Sequence, residues 1–390
     1  QAMRYVVQTE TRVRGPARFE GVLPAPQGEY RDLAVLAFPM PSEQEAPIQV
    51  RQPLPGTPGA SPGVERMFDG DTNTAFVFPR ATGTARRWQV DLVLEGDRPV
   101  QGVSLHPVEH PFQVQVELLV SADGRHYEPL RRIHFDRRRA MWNLGPMTWA
   151  PLTLACSAVA ARHFRLVFSE LEAPGDAGFR EIVFTGSPTV DHLVEKQLGK
   201  MYPEPLPGWD AYLWPPQAEA TSTLAPGDVK DISSHMEAGG RLRWNVPEGE
   251  WVILRCGTLP TGAVNEPVPP EAKGYEVDKM SREGSRHHFA AYIGAFLDRV
   301  PPERRRALKH VVIDSYEVGS QNWTPGLERV FVERLGYDPV PWLPVLSGRV
   351  VGSAGLSSRF LWDLRRLVAD LIAQNYLAAF REAVNGGGLK

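Results

Sequence analysis

His310-Val311-Val312-Ile313-Asp314-Ser315-Tyr316-Glu317 is a short apolar run that turns polar at its end. Such a run reads as a parallel strand buried on both faces. Upstream, residues 281–299 place Phe289, Tyr292, Ile293 and Phe296 on one helical face, and Pro301-Pro302 stop the pattern. Downstream, Thr324-Pro325 has the cap and first-turn proline of a helix start, followed by Leu327, Val330 and Phe331. A long amphipathic pattern then runs from Ser357 to about Val384. Strand and helix in alternation predict α/β architecture after about Tyr275, as a βα barrel or a doubly wound sheet.

Before that region the pattern changes. Arg87–Leu94, Phe112–Val120, Ala161–Phe168 and Glu181–Phe184 alternate with period two, separated by Gly, Pro and Asp turns. Residues 61–187 therefore read as an antiparallel β-sandwich. Ala122-Asp123-Gly124-Arg125 is a hairpin turn within it. Residues 1–14 form a strand that Gly15-Pro16 ends, and Tyr30–Pro39 is a buried strand. Arg241–Val246 and Glu250–Gly257 read as two strands around the turn Pro247-Glu248-Gly249.

The 390 residues suit two or three domains, and 42% hydrophobic with 23% charged residues excludes wholesale disorder. A charge of 43 − 46 = −3 argues against a dedicated nucleic-acid binder, and no window is apolar enough for a membrane span. Cys156 and Cys256 sit in apolar contexts and read as buried thiols. No signal peptide is visible, and both ends of the sequence read as cut. Pro (36) and Gly (35), each roughly 9% of the chain, point to many turns and short strands.

Candidate chemistry concentrates after Ile313. Glu317 between Tyr316 and Trp323 suits a carboxyl whose pKa is raised by apolar surroundings, as a glycosidic general acid requires. Tyr316 and Trp323 also offer flat faces to a sugar ring. The plainer alternative makes Asp314 a turn cap and Glu317 a solvated loop residue. Glu276 and Asp278 stand two apart on a short strand, so their oxygens can share a Ca²⁺ or pair with Lys279 or Arg282. The Asp69-Gly70-Asp71-Thr72-Asn73-Thr74 cluster reads as turn chemistry rather than a metal loop. Arg131, Arg132 and Arg137-Arg138-Arg139 read as a solvated strand face, and His287-His288 lacks a second ligand pair. Asn322-Trp323-Thr324 also fits a glycosylation sequon. A non-catalytic carbohydrate-binding protein is the competing reading. An exposed Trp88 or Trp142 on one sandwich face favours it.

The motifs D-S-Y-E-V-G-S-Q-N-W-T-P (314–325) and G-Y-E-V-D-K-M-S (274–281) resemble glycoside hydrolase family 106, the α-L-rhamnosidases. So do P-W-L-P-V-L-S-G-R-V-V-G-S-A (341–354), R-F-L-W-D-L-R-R (359–366), the opening Q-A-M-R-Y-V-V-Q-T-E-T and the Y-R-D-L-A-V-L-A-F-P run. The resemblance is weakest through 41–190, where the F-D-G-D-T-N-T turn is similar to a galactose-binding-like module. It implies a partial (β/α)₈ barrel with an inserted antiparallel sandwich. Residues 1–40 would be barrel-associated, 41–190 the inserted module, 191–273 a connection and 274–390 an incomplete catalytic barrel. It implies inverting cleavage of terminal α-L-rhamnose from an oligosaccharide or rhamnoside, with Glu317 as general acid. Asp314, Tyr316, Asn322 and Trp323 would contact substrate, and Glu276 and Asp278 would contact calcium or sugar. The second carboxylate would lie beyond Lys390, leaving this chain a central fragment inactive alone. Family membership would place a signal-bearing parent outside the cytoplasm.

Overall fold

The computed structural model describes residues 1–40, 47–51, 63–79, 87–140, 145–201, 217, 224–313 and 317–390. Two long strands frame it. β1 (Arg4–Val22) is followed by β2 (Arg31–Pro39). Ten strands of the sandwich come next: β3 (Pro47–Ile48), β4 (Val50–Arg51), β5 (Phe76–Val77), β6 (Arg87–Leu94) and β7 (Val100–Pro107). The series continues with β8 (Gln113–Ser121), β9 (Glu128–Asp136), β10 (Leu152–Val159), β11 (His163–Glu172) and β12 (Gly178–Thr185). The short helix α1 (Leu193–Lys196) precedes β13 (Lys230–Asp231) and β14 (Arg241–Pro260).

In the sandwich, β10-β7-β12-β3 (with β5 on β12) faces β4-β6-β11-β8-β9. The period-two pattern decides which side chains turn inward. Val114, Val116 and Leu118 of β8 and Phe164, Leu166 and Phe168 of β11 enter one shared core. Phe179 lies at its centre, with ring contacts to Phe78, Phe112, Phe135 and Phe168. The hairpin turn holds because Asp123 Oδ1 accepts the N–H groups of Arg125 and His126.

The other sheet has the order β1-β14-β2-β13. β1 and β14 pair from Arg4↔Pro260 to Val22↔Arg241 with one register shift between Gly15 and Ala17. The strand expected to stop at Gly15-Pro16 thus continues through a bulge. The Pro247–Gly249 turn is the matching irregularity inside a single strand. Gly15 is required there, since a Cβ would lie 1.8 Å from the Pro247 carbonyl oxygen. β1 and β2 of residues 1–40 thus share one sheet with β13 and β14 of the 191–273 stretch.

This sheet is covered on both faces. Val35, Ala37, Trp251 and Ile253 turn to a small core with Leu23 and Trp244. Leu36, Phe38, Val252 and Leu254 turn to the helices. The helices are α2 (Arg282–Phe289), α3 (Ala295–Arg299), α4 (Leu327–Leu335), α5 (Ala354–Ile372) and α6 (Ala379–Gly386); α4 and α5 meet this face, while α2, α3 and α6 gather round a separate small core of Phe289, Leu297, Phe380 and Val384. Ser281 and Ser353 cap α2 and α5 by accepting the N–H groups of Gly284 and Leu356. π-helical turns at Ala290–Gly294 and Ala373–Ala378 join α2 to α3 and α5 to α6.

Among the described residues every strand ladder is antiparallel, so the ring of parallel strands expected for a partial barrel is not formed. Residues 310–313 are in no strand, and Val312 is 81% exposed. A strand needs a ladder partner, and the described residues give this run only one backbone contact. Lys390 N–H donates to the Lys309 carbonyl and Val311 N–H donates to that of Lys390, a single parallel contact that no further strand extends among the described residues. Tyr292 and Phe296, expected on a buried helix face with Phe289, are likewise exposed. No described helix is long and apolar enough to cross a membrane. Both cysteines are buried and free, and burial pushes the Cys156 thiol up to about 11 and the Cys256 thiol up to about 12.

Candidate functional site

The segment after Glu317 is fixed in place residue by residue. Gly319 takes a positive φ of 85°, which a side chain disfavours, and leads into buried residues. Gln321 is held at both ends of its side chain. Its Oε1 accepts the Lys279 N–H at 3.2 Å and its Nε2 donates to Asp278 Oδ1 at 2.7 Å. Asn322 is saturated in the same way. Its Oδ1 accepts the Val6 N–H at 2.8 Å and its Nδ2 donates to the Gln197 carbonyl at 2.9 Å. Trp323 is 3% exposed and lies in the core between sheet and helices. Asn322 and Trp323, expected to contact substrate, are both buried among the described residues, the first bonded at its amide oxygen and nitrogen and the second packed in the core. Glu317, four positions before anchored Gln321, is exposed to solvent. Asp314 and Tyr316 lie outside the described residues.

The 274–281 segment approaches from the other side. Val277 bridges Ala2, Tyr275 bridges Val264, and the Asp278 N–H donates to the Gln1 carbonyl. Asp278 is wholly buried. Its Oδ1 accepts from Gln321 and from the Met280 N–H at 2.9 Å. Its Oδ2 accepts from Gln1 Nε2 at 2.7 Å and Thr324 Oγ1 at 2.6 Å. Glu276 is bound to Lys279 Nζ at 2.6 Å, and that ammonium stands 4.8 Å from the Tyr376 ring centroid. Burial, with Glu276 second, raises the Tyr376 hydroxyl pKa. Burial, with Lys279 second, lowers that of His288.

This donor set does not suit the calcium that the resemblance implies. Every lone-pair direction of Asp278 meets a protein donor, and Glu276 faces an ammonium that would repel a cation. Among the described residues, no three or more His, Cys, Asp or Glu side chains gather in a metal-binding group.

Beside this junction opens a cleft of about 1180 Å³. Gln1, Arg31, Tyr275, Arg286 and His287 are among its walls. Aromatic, cationic and amide groups in one cleft are chemistry that a polyhydroxylated ligand can use.

The sandwich offers less. Asp69 Oδ1 accepts the Asp71 N–H, Asp69 Oδ2 the Thr74 hydroxyl, and Asp71 Oδ1 the Asn73 N–H, which is the turn role expected. Glu181, which the sequence reading passed over, is buried beneath this turn and accepts the Gly70 N–H at 3.0 Å. Burial, then the charges of Asp69 and Asp71, raise its carboxyl to about 7. Trp88 is no exposed platform. It packs inside the sandwich, its ring centroid 4.9 Å from that of Phe78. Trp142 lies outside the described residues.

Arg137 also departs from the solvated face expected of it. It is buried 3.8 Å from Glu195, which Lys200 contacts at 3.0 Å. Burial alone would raise the Glu195 carboxyl, but the charges of Lys200, Arg137 and His192 outweigh it and hold the pKa low. Glu195 lies in α1 with His192 and Lys200 close by in sequence, but Arg137 joins it only through the fold, from the end of β9.

A solved rhamnosidase from Novosphingobium sp. PP1Y matches all of this chain with 28% identity and a TM-score of 0.76. The chain covers 36% of that protein. A Formosa agariphila protein named "Putative beta-glucuronidase" is 42% identical over 163 residues, which is 42% of this chain and 14% of that protein. A Clostridium perfringens module solved with GalNAc-β-1,3-galactose matches 35% of this chain with 18% identity and a TM-score of 0.26, too slight to bear on function. The sequence profile of glycoside hydrolase family 106, described as alpha-L-rhamnosidase, matches residues 1–390. With the full-length match to a rhamnosidase fold and an exposed glutamate on an anchored loop, the chain belongs to glycoside hydrolase family 106, the α-L-rhamnosidases.

Proposed function

We propose that this chain is part of an inverting α-L-rhamnosidase in which Glu317 is the general acid. The observation that carries the reading is the contrast at 317–324: a free carboxyl, four positions from a stretch with no freedom. Held so, Glu317 gives its proton to the glycosidic oxygen as the bond from that oxygen to the anomeric carbon breaks. Water, deprotonated by a second carboxylate, bonds to the same carbon from the opposite face. That second group is assigned to chain outside these residues. So are the strands that would enclose residues 274–390 as a barrel, since the matched rhamnosidase is much longer. Calcium enters no step, because Glu276 and Asp278 are spoken for. Substrate is a terminal α-L-rhamnoside of an oligosaccharide or small aglycone.

Turnover of an aryl α-L-rhamnoside by the longer protein tests the assignment. Glu317→Gln is expected to lower kcat on the order of 10²–10⁴-fold, the usual worth of a positioned acid. Unchanged turnover would remove Glu317 from the mechanism. The 42% identity with the Formosa agariphila protein supports one second reading, in which the sugar is a β-glucuronide and Glu317 keeps its role. Aryl β-glucuronide and aryl α-L-rhamnoside, assayed side by side, separate the two.

A further inference from the structure

We infer that Asp278 is a positioning residue for the general acid, the hub of a clamp that fixes the loop carrying Glu317. This rests on the reading of Glu317 as acid. Asp278 has no solvent exposure and no cation within ion-pair distance among the described residues, yet both its oxygens are filled. Two of its four donors, Gln321 and Thr324, come from the segment just after Glu317. A third is the Met280 N–H of its own turn, and the fourth is Gln1 Nε2, which also reaches Thr324 Oγ1 at 3.3 Å. The backbone joins in, since Lys279 N–H donates to Gln321 Oε1.

Hydrogen bonds to a carboxylate are about twice as strong as those between neutral groups. The clamp thus ties the 317–324 loop to the 274–281 segment and to the N-terminal residues at one atom pair. Asn322, bonded to β1 and to the loop after α1, is a second and independent anchor. Loss of Asp278 therefore loosens the loop on both sides of Asn322, which itself stays attached, and the slack on the Gln321 side reaches Glu317. The expected defect is misplacement of the acid rather than loss of substrate.

Misplaced acid has a specific signature. A phenyl leaving group needs a proton, whereas a 2,4-dinitrophenyl group departs without one. The test compares the two α-L-rhamnosides on the longer protein as wild type, Asp278→Asn, Thr324→Val and Glu317→Gln. Asp278→Asn and Thr324→Val are expected to lower kcat for the phenyl substrate on the order of 10–100-fold, with KM little changed and dinitrophenyl turnover nearly intact. A purely structural role would depress both substrates alike, and that result overturns the clamp. So does no loss on either substrate. If Asp278→Asn does not fold, Thr324→Val decides, since it removes only the bonds of one hydroxyl, to Asp278 and from Gln1, and keeps the side chain's shape. A leaving-group dependence in Glu317→Gln but in neither clamp variant rejects the clamp alone. Its absence from Glu317→Gln overturns the acid reading and the clamp with it.

Discussion

Trp323 and Glu317 stand six positions apart and have opposite fates. In a sequence, an aromatic near an acid suggests a sugar platform. Here the indole fills the core between β2, β14 and the helices, and only the carboxylate reaches solvent. Trp323→Ala is expected to cost about 3–5 kcal/mol of stability, read as a lower denaturant midpoint. A loss of affinity for sugar with stability intact would restore the platform role. Glu195 makes the same point for charge. Its carboxylate is buried with Lys200 and Arg137, and removing one partner leaves the others uncompensated. Glu195→Gln should destabilise by about 3–5 kcal/mol. An unchanged unfolding curve would show that the cluster is not a net requirement.

At the scale of elements, the strands of the sandwich were legible because local alternation and burial agree. Phe164, Leu166 and Phe168 are spaced by two in the sequence and share one core in space. The long α5 helix and its Ser353 cap were within reach of the same rules. What local pattern could not reveal is pairing at long range. Whether Gly15-Pro16 ends a strand depends on Pro247, more than two hundred residues away. Likewise, an apolar run such as 310–313 becomes a strand only with neighbours, which the described residues do not supply. The Glu317 motif could be found by resemblance, but its anchors could not. Gln321 and Asp278 meet only because the fold brings their segments together.

Glu181 gives this scale a pH test. Its carboxyl is raised from 4.5 to about 7 in the fold, so the native state holds the proton more tightly than the unfolded chain. That stabilisation is full below the unfolded value and is lost as pH rises through about 7. The Tm of the sandwich should therefore fall between pH 5 and pH 8 by more in wild type than in Glu181→Gln. Equal pH dependence in both would show that Glu181 is not the responsible group.

For the whole molecule, the described residues join a sandwich and a four-stranded sheet to a mainly helical region in which Tyr292, Phe296 and Val312 lie in solvent. On the proposed function the second carboxylate comes from outside these 390 residues, so this chain alone is expected to show no measurable hydrolysis of an aryl α-L-rhamnoside. Turnover by this chain alone would contradict the shared-site reading. The most direct measurement is an NMR time course of phenyl α-L-rhamnoside with the longer protein and its Glu317→Gln variant. The account requires β-L-rhamnose to appear first, and the variant to be slower on the order of 10²–10⁴-fold. Release of the α-anomer first, or equal rates for the two proteins, would contradict it.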